Sequence, residues 1–141
     1  RFYKKQMLKV TIPKENILIC NKLEEFLSVF PLSKDSDRIQ VITKDDNIYV
    51  AYLTDSNSRL KQTFFDLQIK DNVCDILGFG ITKEYKLKGH GRSLYNVVEK
   101  FSSFLNCKSI ITVSSGEGNL FWPKMGFVNY SSNSTKSQKV L

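Results

Sequence analysis

Residues 74–101 read CDILGFGITKEYKLKGHGRSLYNVVEKF, and the order of residue types along them decides the architecture. The first part, VCDILGFGITKEY from Val73, is an apolar strand interrupted at its centre by Gly78-Phe79-Gly80. Glycines inside a strand weaken it and commonly mark a bulge or the close approach of a ligand or another backbone. The last part, GRSLYNVVEKFSSFL over residues 91–105, places Leu94, Val97, Val98, Phe101 and Leu105 on one helical face. Between them lies KLKGHGRS, residues 86–93, with two glycines and three cations in eight residues. The first N–H groups of a helix have no intrahelical partner, and the helix dipole adds positive charge there. A strand, a glycine-bearing loop and a helix start together make an anion-binding device. Glycine lets backbone approach a pyrophosphate closely, with Lys86, Lys88 and Arg92 on the rim. The spacing is not that of a P-loop, and Leu94 stands where G-x-G-x-x-G needs its third glycine. The loop alone reads equally as a glycine-eased turn with solvated lysines.

Upstream, QMLKVTI alternates like a strand that Pro13 closes. NKLEEFLSVF puts Leu23, Phe26, Leu27 and Phe30 on one helical face, with Asn21 as N-cap and Pro31 as stop. RIQVIT, the turn KDDN and IYVAYLT read as a β-hairpin. NSRLKQTFFDLQI supplies a further strand that KDN turns into the glycine-centred one. Downstream, KSIITVSS is a buried strand and GEGNLFWPKMGF a short helical turn ended by Pro123. FVNY and KSQKVL close the chain as strands. The order predicts an α+β (α/β) domain with a mixed sheet.

The 141 residues suit one domain. No apolar run reaches the roughly 18 residues of a membrane helix, and no secretory signal pattern follows the basic start. Residue 1 is Arg, as expected of a piece cut from a longer, multidomain protein. The net charge of +7 is spread evenly, +3 over residues 1–70 and +4 over 71–141. That argues against a nucleic-acid arm but leaves a basic face open, and suits a phosphate-bearing ligand or an acidic partner. Cys20, Cys74 and Cys107 are odd in number and unclustered. They predict core residues in a reducing compartment, nuclear or cytoplasmic, with neither disulfides nor a zinc site. With His90 as the sole histidine, no His-rich metal centre is expected.

From Asp75 to Phe127 the chain resembles the GNAT superfamily of acetyl-CoA-dependent N-acetyltransferases. Its Q/R-x-x-G-x-G/A signature corresponds to Lys86-Leu87-Lys88-Gly89-His90-Gly91, and LFWPKMGF resembles a second family feature, a short helix ending in G-F. Residues 74–101 are similar, without gaps, to the histone-acetylating branch. The resemblance implies a single GNAT-like domain with a mostly antiparallel twisted sheet flanked by helices. One bulged strand would splay at the cofactor site. It implies acetyl-CoA as cofactor, its pantetheine arm beside Phe79, Gly80 and Ile81 and its pyrophosphate on the amides of Leu87, Lys88, Gly89, His90, Gly91 and Arg92. The Phe79 N–H would polarise the thioester carbonyl, Lys86 would lie at the phosphates, and Phe121 beside the cofactor.

The implied reaction is direct acetyl transfer to a primary amine, most plausibly a histone-like protein lysine. An alkylammonium arrives protonated near neutrality, so a base is needed. The family's glutamate is matched by Asp75, one methylene shorter, which would work through a water; Asp75 reads alternatively as a turn aspartate. Glu84 is a second carboxylate, expected at the solvent-facing strand end. The family's tyrosine acid is replaced by Trp122, as in a branch that manages without it; Trp122 and Phe121 also read as core. His90 is expected on the surface, contributing only its amide. The departures at Lys86, Asp75 and Trp122 leave a rival: a catalytically degenerate fold that binds an acidic protein or nucleic acid.

Overall fold

The computed structural model describes residues 14–32, 37–45, 47–54, 62–81, 89–116 and 118–141. Helix α1 spans Lys14–Leu27 and is followed by strands β1 (Arg38–Asp45), β2 (Ile48–Thr54), β3 (Gln62–Lys70) and β4 (Val73–Phe79). Then come α2 (His90–Phe104), β5 (Ser109–Val113), the short α3 (Gly118–Lys124), β6 (Val128–Asn129) and β7 (Lys136–Val140). The strands form one sheet in the order β1-β2-β3-β4-β5-β7-β6. All neighbours are antiparallel except β4 and β5, which run parallel. This is the mixed α+β sheet that the sequence predicts. The expected first strand over residues 6–12 lies outside the described residues.

One face of the sheet carries the core. Tyr49, Ala51, Leu53, Leu67, Cys74, Ile76 and Ile110 are buried against Leu23 and Leu27 of α1 and Leu94, Val97, Val98 and Phe101 of α2. The apolar stripe of α2 is the one its spacing predicts, and it buries because it faces this surface. Cys74 and Cys107 are buried free thiols and Cys20 is half-buried. Among the described residues no helix is long and apolar enough to cross a membrane.

Two boundaries differ from expectation. The first helix begins at Lys14, so Asn21 lies inside it rather than capping it. The 3–4 residue spacing of buried positions runs upstream through Ile19 to Asn16, and Pro13 in front suits a helix start. The helix ends at Leu27, and a tight turn from the Phe30 N–H to the Leu27 carbonyl (2.9 Å) carries the chain towards Pro31. Second, Pro123 sits inside α3 instead of ending it. What ends α3 is Gly126 at φ 98°, with the Phe127 N–H on the Trp122 carbonyl and the Gly126 N–H on the Pro123 carbonyl, both at 3.0 Å. These are the paired bonds of a glycine-terminated helix, and the Phe127 ring closes on Trp122 at 5.1 Å. The G-F pair read from the sequence is therefore a helix terminator.

Candidate functional site

The site begins with a defect in β4. Leu67 pairs with Ile76, but Asp66 pairs with Gly78, so Leu77 is an extra residue bulged out of the ladder. A bulge bends its strand and increases the local twist. Pairing between β4 and β5 stops at Ile76 and Thr112, so among the described residues Leu77, Gly78 and Phe79 have no strand partner on that side. The Gly80 N–H donates to the Phe64 carbonyl of β3 at 2.8 Å. Because N–H groups alternate sides along a strand, the Phe79 N–H points the other way, into the gap beyond the last β4–β5 pair. The glycines at 78 and 80 thus flank a bulge and a splay, as the sequence implied.

Helix α2 starts at this gap. Gly89 is its N-cap at φ 76°, a left-handed conformation that costs any residue with a Cβ. No side chain caps the helix, and its first turn contains no acidic residue. Among the described residues its first N–H groups therefore have no side-chain partner and suit an anion. At Gly91, a Cβ would lie 3.1 Å from Phe121 Cε1 and 3.9 Å from Ile81 Cγ1. Phe121 in turn stacks on Phe79 with ring centroids 5.5 Å apart. Phe79, Ile81, Gly91 and Phe121, four residues singled out from the sequence, therefore meet beside the splay. Trp122, 5% exposed, backs the cluster with its ring 5.1 Å from Phe79 and 5.9 Å from Tyr95. It is a core residue, one of the two readings left open for it.

Asp75 lies four residues before Phe79, in the paired part of β4, on the sheet face opposite Cys74 and Ile76. It is half-buried, and burial pushes its carboxyl above the ordinary aspartate value while Lys136 partly pulls it back. Lys136 reaches it because β7 is the outer neighbour of β5, and it pairs with Val113 two steps beyond the Asp75 partner Ile111. Asp75 is therefore a strand residue, not a turn aspartate.

Lys86, Leu87 and Lys88, with Glu84, lie outside the described residues. Arg92 is exposed in the first turn of α2. His90 departs from expectation: its side chain is half-buried, with the imidazole edge-on to Phe30 at 5.7 Å, rather than lying on the surface. The apolar ring after α1 draws it inward. Sequence reading also passed over Asp66, which faces Gly78 across the bulge, and Tyr95, buried behind Trp122. A lone carboxylate in the strand FFDLQI is the signal that marks Asp66.

No protein-family model matches the sequence, and no curated protein does. Among solved structures, the chain is similar to the PaiA N-acetyltransferase of Thermoplasma acidophilum in complex with coenzyme A. That match has a TM-score of 0.54 and 18% sequence identity, covering 67% of this chain and 62% of that one. The chain thus spans less than two thirds of that protein's length. It is also similar to Ard1 of Thermoplasma volcanium (TM-score 0.47, 16% identity, 97% and 85% covered). A third is the ribosomal-protein-S18-alanine N-acetyltransferase of Escherichia coli (0.47, 12%, 92% and 87%). What the chain shares with PaiA is the fold, a mixed sheet with flanking helices.

Proposed function

We propose that this chain is an acetyl-CoA-dependent N-acetyltransferase acting on a primary amine, with a protein lysine as the acceptor class. The observation that carries the reading is the Phe79 N–H, turned into the β4–β5 gap directly beside the uncapped start of α2. One element offers a donor for an acyl oxygen, and the next offers helix-end amides for a phosphate. The fit is supported by Gly91, which leaves room at the helix start where a Cβ would meet Phe121. Coenzyme A bound to PaiA, whose fold is shared, agrees with this choice of cofactor.

The bound thioester supplies an activated acetyl group. Phe79 holds its carbonyl oxygen through the backbone N–H, and the Phe79, Ile81 and Phe121 side chains line the cofactor side. Gly80 keeps its own N–H on Phe64, which fixes the direction of the Phe79 N–H. Leu87 to Arg92 would hold the pyrophosphate, and the charges of Lys86 and Lys88 would help to neutralise it. Asp75 takes the proton that the acceptor ammonium must lose, through a water that makes up for its short side chain. The nitrogen forms the amide bond as the carbon–sulfur bond breaks; the second proton that the nitrogen loses passes to water, and the sulfur takes its proton from water, because the Trp122 indole offers none. A carboxyl raised by burial is a better base near neutrality than an ordinary aspartate.

The experiment is calorimetric titration of acetyl-CoA and CoA, followed by mass-spectrometric detection of acetyl transfer to lysine peptides. Micromolar binding with transfer is the expected result. Failure to bind either molecule would overturn the reading in favour of a fold that keeps its shape as an interaction module.

A further inference from the structure

Strand β3 carries a carboxylate that the mechanism does not use. Asp66 stands opposite Gly78, and Gln68, two residues on, stands opposite Asp75. Side chains alternate along a strand and paired residues share a face. Asp66 and Asp75 therefore share one face of the sheet, opposite the face that buries Cys74 and Ile76. The Oδ1 atom of Asp66 is buried, and among the described residues no hydrogen-bond donor reaches it. Buried carboxylate oxygens are costly without donors, and this one calls for a donor that the described residues do not supply.

The cross-strand neighbour of Asp66 is a glycine, so that position of β4 places no side chain against the carboxylate. A Cβ on Gly78 would lie 3.7 Å from Asp66 Oδ2, in ordinary contact, filling the space between the carboxylate and the bulged backbone. That space adjoins the point where β4 leaves β5, so a group entering the splay from this face passes Asp66 and Asp75 together.

We propose that Asp66 is the specificity residue for the acceptor. Its carboxylate receives N–H donors from an alkylammonium, so the site selects amines that arrive protonated, such as a lysine side chain, over hydroxyls and neutral amines. The word acceptor rests on the acyl-transfer reading; the cation site itself does not. Two carboxylates on one face then divide the work: Asp66 holds the nitrogen and Asp75 removes its proton. An ammonium has three donors and can serve both.

The test is an NMR titration of two probes, Nα-acetyl-lysine methylamide and its norleucine counterpart, with coenzyme A titrated in parallel. Wild type, Asp66→Asn and Gly78→Ala are compared. The expected result is lysine-probe affinity lowered about tenfold or more in Asp66→Asn, the range of a hydrogen bond to a charged group. A parallel loss is expected in Gly78→Ala, with coenzyme A affinity unchanged in both. Wild type should prefer the lysine probe over the norleucine one. Equal lysine-probe affinity in wild type and Asp66→Asn would overturn the proposal, as would no preference between probes. Asp66-dependent lysine binding without coenzyme A binding would leave the cation site standing and remove the acyl-transfer reading. Coenzyme A binding with Asp66-independent lysine binding would do the reverse.

Discussion

Phe121 occupies the space in front of Gly91, its Cε1 3.1 Å from where a Cβ on that glycine would lie. The same ring stacks on Phe79, so the glycine sets how closely α3 and β4 approach the start of α2. Alanine at 91 gains roughly 0.5–1 kcal/mol of helix propensity but overpacks Phe121, which costs about 1–3 kcal/mol. Gly91→Ala is expected to lower stability by about 1 kcal/mol in urea unfolding and to weaken CoA binding about tenfold. A stability equal to wild type with unchanged CoA affinity would show that Phe121 moves freely.

At Gly89 the argument concerns the backbone rather than space, since nothing lies near its Cβ position. At φ 76° alanine costs about 1–2 kcal/mol, and asparagine, which tolerates this region, costs less. The order Gly, Asn, Ala in urea midpoints is the expected outcome. Equal midpoints for the three would mean that the turn relaxes.

Asp75→Asn is expected to slow acetyl transfer by roughly 10²–10⁴-fold, the usual worth of a general base. Full activity would remove Asp75 from the mechanism. Its carboxyl is raised by burial and lowered by Lys136. Lys136→Met should therefore move the acid limb of the pH–rate profile upward.

The same shift has a consequence for stability. Burial disfavours the charged form in the folded state, so the folded pKa lies above the unfolded value. Wild type thus loses stability relative to Asp75→Asn as pH rises from the unfolded pKa, about 4, through the raised folded value. Above that window the difference is constant. Wild type gaining stability relative to Asp75→Asn with rising pH would contradict the assigned direction. Chemical unfolding across pH 3–8 measures it.

Trp122 touches Phe79, Phe121, Tyr95 and Phe127 at centroid distances of 4.9–5.9 Å. Trp122→Ala is expected to cost about 3–5 kcal/mol, read as a fall in the urea midpoint. A cost below about 1 kcal/mol would mean that α3 is not anchored to the core.

The sequence makes α2 and the β1–β2 hairpin legible for separate reasons: Leu94, Val97, Val98 and Phe101 recur with a period near 3.6, and the hairpin is two β-branched and aromatic runs around a polar turn. It misplaces the start of α1 because Asn21 has cap chemistry, and because the stripe running upstream through Ile19 ends on a polar residue, Asn16. The G-F pair is visible as a motif, but only the two bonds back to Trp122 and Pro123 show what it does. The relation of Asp66 to Gly78 depends on a one-residue bulge in the register, which residue order does not display. The proximity of Lys136 to Asp75 likewise arises from lateral neighbours across three strands. His90 turned inward for a similar reason: Phe30, far away in sequence, supplies the apolar ring.

The parallel β4–β5 pairing is set apart from the antiparallel pairings by its direction and also by when it can form. Strands β1 and β2, and likewise β3 and β4, are joined by tight turns, so their ladders close locally. β5 reaches β4 only after the chain has crossed by way of α2, and closing such a loop costs entropy before any contact repays it. The gap beside Phe79 is consequently the seam between an early-folding meander and a late-docking half. Its amides should exchange with solvent through partial opening at lower free energy than those of β2 or β3. On the acyl-transfer reading, the cleft that would admit the cofactor thus lies where the chain separates most readily.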